Sequence, residues 1–228
     1  MCAQRRLIVH EQAKSPIAEA FRTLRTNLQF SKVDGGLHTI LFTSAGPGEG
    51  KSTVIANTAV ALAQSGKRVI LLDCDLRKPT QHRIFHLERK GVTNSIVEDI
   101  PITELIQETE IANLRVVTSG PIPPNPSELL GSAHMHEIMT SLQQECDLLM
   151  IDAPPAVAVT DACVLASQVD GVVIVLDSDV VRPDMAQKTR DLIRKANGTI
   201  LGVILNRVEI EKEHSYYYYY YGKEAKKR

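Results

Sequence analysis

Ser44-Ala45-Gly46-Pro47-Gly48-Glu49-Gly50-Lys51-Ser52-Thr53 is the stretch on which the reading of this chain turns. It follows an apolar run over 39–43 and precedes a helical pattern over 51–65. Its three glycines let the backbone turn N–H groups inward, and a helix that follows points its positive end at whatever sits in the turn. This is the spacing of a phosphate-binding loop, with Ala45 where the strict pattern has its first glycine. On that reading Gly46, Pro47, Gly48, Glu49, Gly50 and Thr53 belong to an ATP-binding loop. Lys51 reaches the β- and γ-phosphates, and the Ser52 hydroxyl ligates Mg²⁺.

Working outward, two more apolar runs end in acids. Val69-Ile70-Leu71-Leu72-Asp73-Cys74-Asp75 places two carboxylates at the end of a buried strand, and Leu148-Leu149-Met150-Ile151-Asp152 places a third. In open α/β sheets ligands bind just past those strand ends. An acid there holds Mg²⁺ directly or through water, or takes a proton from a nucleophile. The bland alternative for Asp73 and Asp75 is turn and capping chemistry ahead of residues 76–78.

The rest of the chain supplies the scaffold. Strands are expected at 39–43, 68–73, 114–118, 147–152, 171–177 and 199–206, and their near-continuous apolar character suits strands covered on both faces. Helical patterns fall at 51–65, 127–145, 160–168 and 185–196. Alternation of this kind predicts an α/β domain over residues 1–207, a doubly wound, mostly parallel sheet. Ser15-Pro16 opens a further helix to about residue 30, with Ile17, Phe21, Leu24 and Leu28 as its buried stripe and Glu19, Arg22 and Arg25 off it. Asn125-Pro126-Ser127-Glu128 is expected to cap another helix start. Residues 208–228 carry no apolar periodicity and read as a mobile tail.

Composition narrows the function classes. Lys plus Arg is 26 and Asp plus Glu is 27, so no basic footprint for nucleic acid or an anionic membrane is expected. The longest apolar runs, such as 172–176 and 200–205, fall far short of the roughly 18 residues of a spanning helix, and no signal-peptide core precedes the domain. Cys2, Cys74, Cys146 and Cys163 form no C-x-x-C pair, so a cluster-carrier or zinc-ribbon site is not suggested. A cytoplasmic protein without direct membrane insertion is the expectation. One feature is unusual: all six tyrosines are consecutive, Tyr216, Tyr217, Tyr218, Tyr219, Tyr220 and Tyr221.

Together these residues resemble the bacterial tyrosine kinases of capsule and exopolysaccharide operons. The resemblance lies in the loop Pro-Gly-Glu-Gly-Lys-Ser-Thr, the second acidic strand Leu-Leu-Asp-x-Asp-Leu-Arg-x-Pro, and Ile-Asp-Ala-Pro-Pro after the third. It lies also in Glu19-x-x-Arg22-x-x-Arg25, the segment from Gly120 to Leu130, and the tyrosine run. The resemblance implies a deviant-Walker P-loop NTPase that uses ATP and Mg²⁺ to phosphorylate its own tyrosines 216–221, with neighbouring subunits of a ring serving one another. It implies that Asp73 and Asp152 organise the metal with Ser52, that Asp75 deprotonates the incoming tyrosine, and that Asn206 contacts adenine. It implies an oligomer interface at Glu19, Arg22 and Arg25. It further implies a membrane-embedded activator or polysaccharide co-polymerase as partner, a cognate phosphatase, and a place at the inner face of the membrane held through that partner.

Chemistry supports the same reading. A tyrosine hydroxyl has an unperturbed pKa near 10, so a carboxylate in reach and Mg²⁺ on the phosphates are the minimum apparatus for in-line transfer. Tyr216 lies ten residues beyond Asn206, a reach of up to roughly 35 Å, which leaves transfer within or between chains open. Two other readings share the architecture. One is a non-kinase ATPase switch like the septum-placing and partition ATPases, whose signature lysine is replaced here by Gly46. The other is a nucleotide-gated scaffold in which phosphate transfer is only a release signal.

Overall fold

The computed structural model describes residues 7–31 and 36–209; the tyrosine run, with the rest of 210–228, lies outside the described residues. Seven strands form one sheet in the order β3-β4-β2-β5-β1-β6-β7. They are β1 (Thr39–Ser44), β2 (Val69–Asp73), β3 (Gln107–Glu108), β4 (Leu114–Val117), β5 (Leu148–Asp152), β6 (Gly171–Asp177) and β7 (Ile200–Asn206). Every pairing is parallel except that of β3 with β4. The doubly wound α/β sheet expected from the sequence is the one found.

Nine helices cover the two faces: α1 (Ile8–Glu11), α2 (Pro16–Phe30), α3 (Lys51–Ala63), α4 (Gln81–Ile84), α5 (Val92–Glu98), α6 (Pro126–Leu130), α7 (Ala133–Glu145), α8 (Asp161–Ala166) and α9 (Pro183–Lys195), counted among the described residues. Ile40, Phe42, Leu71 and Val173 pack with Val54, Ile55, Ala59 and Leu62 of α3 on one face. Leu41, Ile70, Leu72 and Ile151 pack with Ile138, Leu142 and Leu165 on the other. The central strands β1, β5 and β6 are buried along their whole length, which is why their sequences do not alternate.

Helix α3 is buried at every position from Val54 to Ala63. It is caught between the sheet and α1 and α2, and its many alanines allow that close approach. Val9 of α1 donates its N–H to Asn57 Oδ1 of α3, 3.0 Å away.

Four expectations need correction. The predicted helix over 127–145 is two helices, because Gly131 ends α6 and the Ser132 hydroxyl starts α7 by accepting from Met135 N–H. Asn125 does not cap the backbone; its amide donates instead to the Glu128 carboxylate. On α2 the Ser15 cap is as expected, but Ile17 is 46% exposed and Ala18 takes the buried position, so the stripe runs through Ala18, Phe21, Leu24 and Leu28. Finally, β7 is an edge strand: Val203 and Leu205 are exposed where the sheet ends, so this strand is not covered on both faces. The short elements α1, α4, α5, β3 and the 3₁₀ turn Ile102–Leu105 carried too few residues for a periodic signal.

Candidate active site

The sheet's register assembles the site. β1 lies between β5 and β6, so the loop after Ser44 opens at the centre of the sheet's carboxyl edge. Asp73 and Asp152 are register partners across β2 and β5, and Asp152 pairs with Phe42 of β1. Residues directly opposite in neighbouring strands share a face, so both carboxylates lie beside the loop. A cleft of about 800 Å³ opens over it, lined by the loop, Asp75, Thr80 and Asn206.

The phosphate-binding loop is held from inside. Gly48 and Gly50 adopt φ of +84° and +85°, which only glycine takes without strain. A Cβ on Gly50 would also sit 2.2 Å from Asn206 Nδ2. Glu49, expected to face ATP, points back into its own loop instead: its carboxylate accepts the N–H groups of Ala45 (2.8 Å) and Gly46 (3.0 Å) and is buried. Those two donors are therefore spent on Glu49, leaving Gly48 to Ser52 as the loop's open N–H groups among the described residues. Glu49→Ala is expected to strand both N–H groups and cost about 3 kcal/mol. Thermal unfolding checks this, with Tm falling by roughly 6–12 °C.

Lys51 is the hub. It is 6% exposed, ion-paired to Asp152, 3.6 Å from Asp75 Oδ2, and within 3.2 Å of the Ser52 hydroxyl. Burial works to lower its pKa, but the charges of Asp152 and Asp75 and the hydrogen bond to Asp152 outweigh that and raise it. It therefore stays an ammonium throughout the physiological range.

The three acids divide their work. Asp73 Oδ1 accepts from Asp75 N–H, and its Oδ2 accepts from the N–H groups of Thr80 and Gln81. It holds the 75–81 loop against β2, which is the turn chemistry weighed as the bland alternative. Burial, with Asp152 alongside, pushes its carboxyl up to about 7 against the pull of those N–H groups and of Lys51. Asp75 Oδ1 accepts from Lys78 N–H at 3.0 Å, and its carboxylate lines the cleft beside Lys51. Asp152 is fully buried between Lys51 and the side-chain amide of Gln81.

Asn206 donates to the Glu49 carbonyl at 2.9 Å and lines the cleft. The structure thus brings Lys51, Ser52, Asp73, Asp75, Asp152 and Asn206 together around one loop. Glu19, Arg22 and Arg25 stand apart on α2. There Glu19 pairs with Arg22, and Arg25 donates to the Ala61 carbonyl of α3.

Sequence reading passed over several residues here. Arg77 forms a two-pronged ion pair with buried Asp161 at 2.9 and 3.0 Å and donates to the Ser127 hydroxyl, so it ties the 75–81 loop to α6 and α8. Arg207 pairs with Asp177 and donates to the Gly48 carbonyl. Lys78, Arg83 and Arg89 line the cleft without an ion-pair partner among the described residues. Arg77 stands inside the Asp-Leu-Arg-x-Pro stretch, which was a usable signal; the others have none.

The donor set fits Mg²⁺. Among the described residues no three His, Cys, Asp or Glu side chains converge as a cage. A hydroxyl on the loop backed by carboxylates suits an ion that arrives on phosphates and keeps several waters. Beside Asp152, the side-chain carbonyl oxygen of Gln81 is buried with no hydrogen-bond partner among the described residues.

Fold and loop together define a P-loop NTPase, and a family model described as ParA: NUBPL iron-transfer P-loop NTPase matches residues 37–228. Within that class the relatives are narrower. Tyrosine-protein kinase YwqD of Bacillus subtilis (strain 168) is 41% identical over 214 residues, which cover 93% of this chain and 90% of that one. Tyrosine-protein kinase CpsD of Streptococcus agalactiae is 35% identical over 192 residues, 83% of each chain. The crystal structure of the chimerical protein CapA2B2 matches with a TM-score of 0.86 and 43% identity, covering 90% of both chains. The chain belongs to the bacterial tyrosine-protein kinases.

Proposed function

We propose that this chain transfers the γ-phosphate of ATP to tyrosine hydroxyls, first those of its own run Tyr216–Tyr221, and that the cycle regulates capsular or exopolysaccharide polymerisation and export. The observation that carries the reading is the placement of Asp75: a carboxylate on the cleft wall, 3.6 Å from the lysine of the phosphate-binding loop. A base there stands where an incoming hydroxyl and a γ-phosphate would meet.

The residues act in a definite order. The open N–H groups of 48–52 and the α3 N-terminus receive the phosphates. Lys51 then exchanges carboxylates for phosphate oxygens, which frees the Asp75 carboxylate on the cleft wall to meet the incoming hydroxyl. Asp75 takes the tyrosine proton as the phenolic oxygen attacks. Ser52 and Asp152 would hold Mg²⁺, which when bound neutralises charge on the phosphates. The cations Arg77, Lys78, Arg83, Arg89 and Arg207 around the cleft favour a polyanion.

The remaining parts of the reading concern assembly. Glu19, Arg22 and Arg25 are proposed to form the contact between subunits of a ring, exchanging their present partners within the chain for those of a neighbour. Among the described residues no helix is long and apolar enough to cross a membrane. Recruitment to the inner membrane face through a membrane-embedded activator, and reversal by a tyrosine phosphatase, complete the proposal.

The test is intact-mass spectrometry after incubation with Mg-ATP, with and without the activator's cytoplasmic segment. Wild type is expected to gain a ladder of phosphates. A variant with Tyr216–Tyr221 all changed to Phe is expected to gain none. ATP turnover without any phosphate addition, activator present, would replace this reading with the ATPase switch.

A further inference from the structure

Gln81 ties the site together, although no motif marks it. It opens α4, is fully buried, and touches all three parts of the site. Its backbone N–H donates to Asp73 Oδ2 at 2.9 Å. Its side-chain nitrogen donates to Asp152 Oδ2 at 2.6 Å and to the Ser52 carbonyl at 3.2 Å.

Both side-chain partners are acceptors, so the orientation of the amide is determined. The NH₂ must face Asp152 and Ser52, and the carbonyl oxygen must face the other way. That oxygen is buried and has no hydrogen-bond partner among the described residues. Buried acceptors are almost always satisfied, so a donor is missing from this corner of the site.

Few donors are compatible with the position. The nearby lysine is engaged with Asp152, Asp75 and the Ser52 hydroxyl. A nucleotide's phosphates offer acceptors only. Water on a divalent cation offers strongly polarised O–H groups and belongs beside a loop serine and a strand-end aspartate.

We propose that Gln81 positions the nucleotide's metal: its NH₂ holds Asp152 against the Ser52 backbone, and its carbonyl oxygen accepts a hydrogen bond from a magnesium-bound water. Gln81 is thus a positioning residue, acting on the metal's hydration shell and not on the reacting atoms. The proposal rests on the nucleotide-binding half of the function argued above.

Calorimetric titration of the full chain with ADP, in Mg²⁺ and in EDTA, tests it. Gln81→Met keeps the volume and loses both hydrogen-bonding ends. It is expected to weaken ADP binding about tenfold in Mg²⁺ and leave binding in EDTA unchanged. Gln81→Asn, an amide one methylene shorter, is expected to recover part of the loss, and it carries the comparison alone if the methionine variant does not fold.

An equal loss with and without Mg²⁺, or no loss in Mg²⁺, overturns the proposal and makes the missing donor an ordinary buried water. Absence of ADP binding by the wild type overturns the nucleotide reading itself and this proposal with it, whereas wild-type binding that ignores Mg²⁺ overturns this proposal alone. The two failures are thereby told apart.

Discussion

Lys51→Met is expected to lower phosphate transfer by about 10³-fold and to destabilise the fold in a way that acid partly repairs. The rate loss follows from removing a preorganised cation from the site of phosphate charge, a change typically costing 10²–10³ or more. The stability loss has a different origin. Lys51 is buried against Asp152 and Asp75, and deleting one partner of a buried pair leaves uncompensated charge at a cost of about 3–5 kcal/mol. For a chain of this size that lowers Tm by roughly 10 °C or more.

The pH dependence gives the stability claim its sign. The Asp73 carboxyl stands at about 7 when folded against 3.8 as a free group, with Lys51 among the influences holding it down. A carboxyl raised in this way binds more protons folded than unfolded between those values, so stability falls as pH rises through that window. Removing Lys51 raises the Asp73 carboxyl further and carries the window above pH 7. The Tm gap between variant and wild type should therefore narrow as pH drops from 8 to 6. A gap that holds constant in calorimetry would show that Lys51 does not neutralise this cluster.

Asp75→Asn carries the second large effect, on rate alone. Asparagine keeps an oxygen for the Lys78 N–H, so the 75–81 loop has no reason to open. What it loses is the capacity to take a proton. General-base catalysis typically supplies 10²–10⁴-fold. Initial rates of tyrosine phosphorylation should fall by about that factor, with the KM for ATP within twofold of wild type. A rate within fivefold of wild type would remove Asp75 from the proposed mechanism.

The two variants also separate binding from chemistry. In the proposed mechanism Lys51 touches phosphates in the ground state, so its loss should appear in nucleotide affinity as well as in rate. In the same proposal Asp75 acts on the acceptor, so its loss should leave nucleotide affinity alone. Glu49 belongs to neither set, because its carboxylate faces the loop backbone and its removal is a matter of stability.

Much of this molecule was legible in one dimension. The phosphate-binding loop is a local object: glycines at 46, 48 and 50, a lysine and a serine specify its turns through their own backbone preferences and the helix that follows. The apolar runs ending in Asp73 and Asp152 were legible because strands buried on both faces have no polar alternation. The short α4 and the break at Gly131 were not, since four residues of helix carry no period and a single glycine inside a helical pattern is ambiguous.

Residue types and their order along the chain thus determined the fold class, the loop and the family. Tertiary structure alone decided what each acid does. Asp73 and Asp75 are two residues apart in one stretch, yet one faces three backbone N–H groups and the other faces the cleft. It also decided that Glu49 braces the loop, that Arg77 is anchored by Asp161 84 residues away, and that Gln81 meets Asp152 across 71 residues of chain. The physical reason is that a side chain's task depends on which partner desolvates it and from which direction. Strand order and register set both, and they bring together residues that the linear sequence keeps far apart.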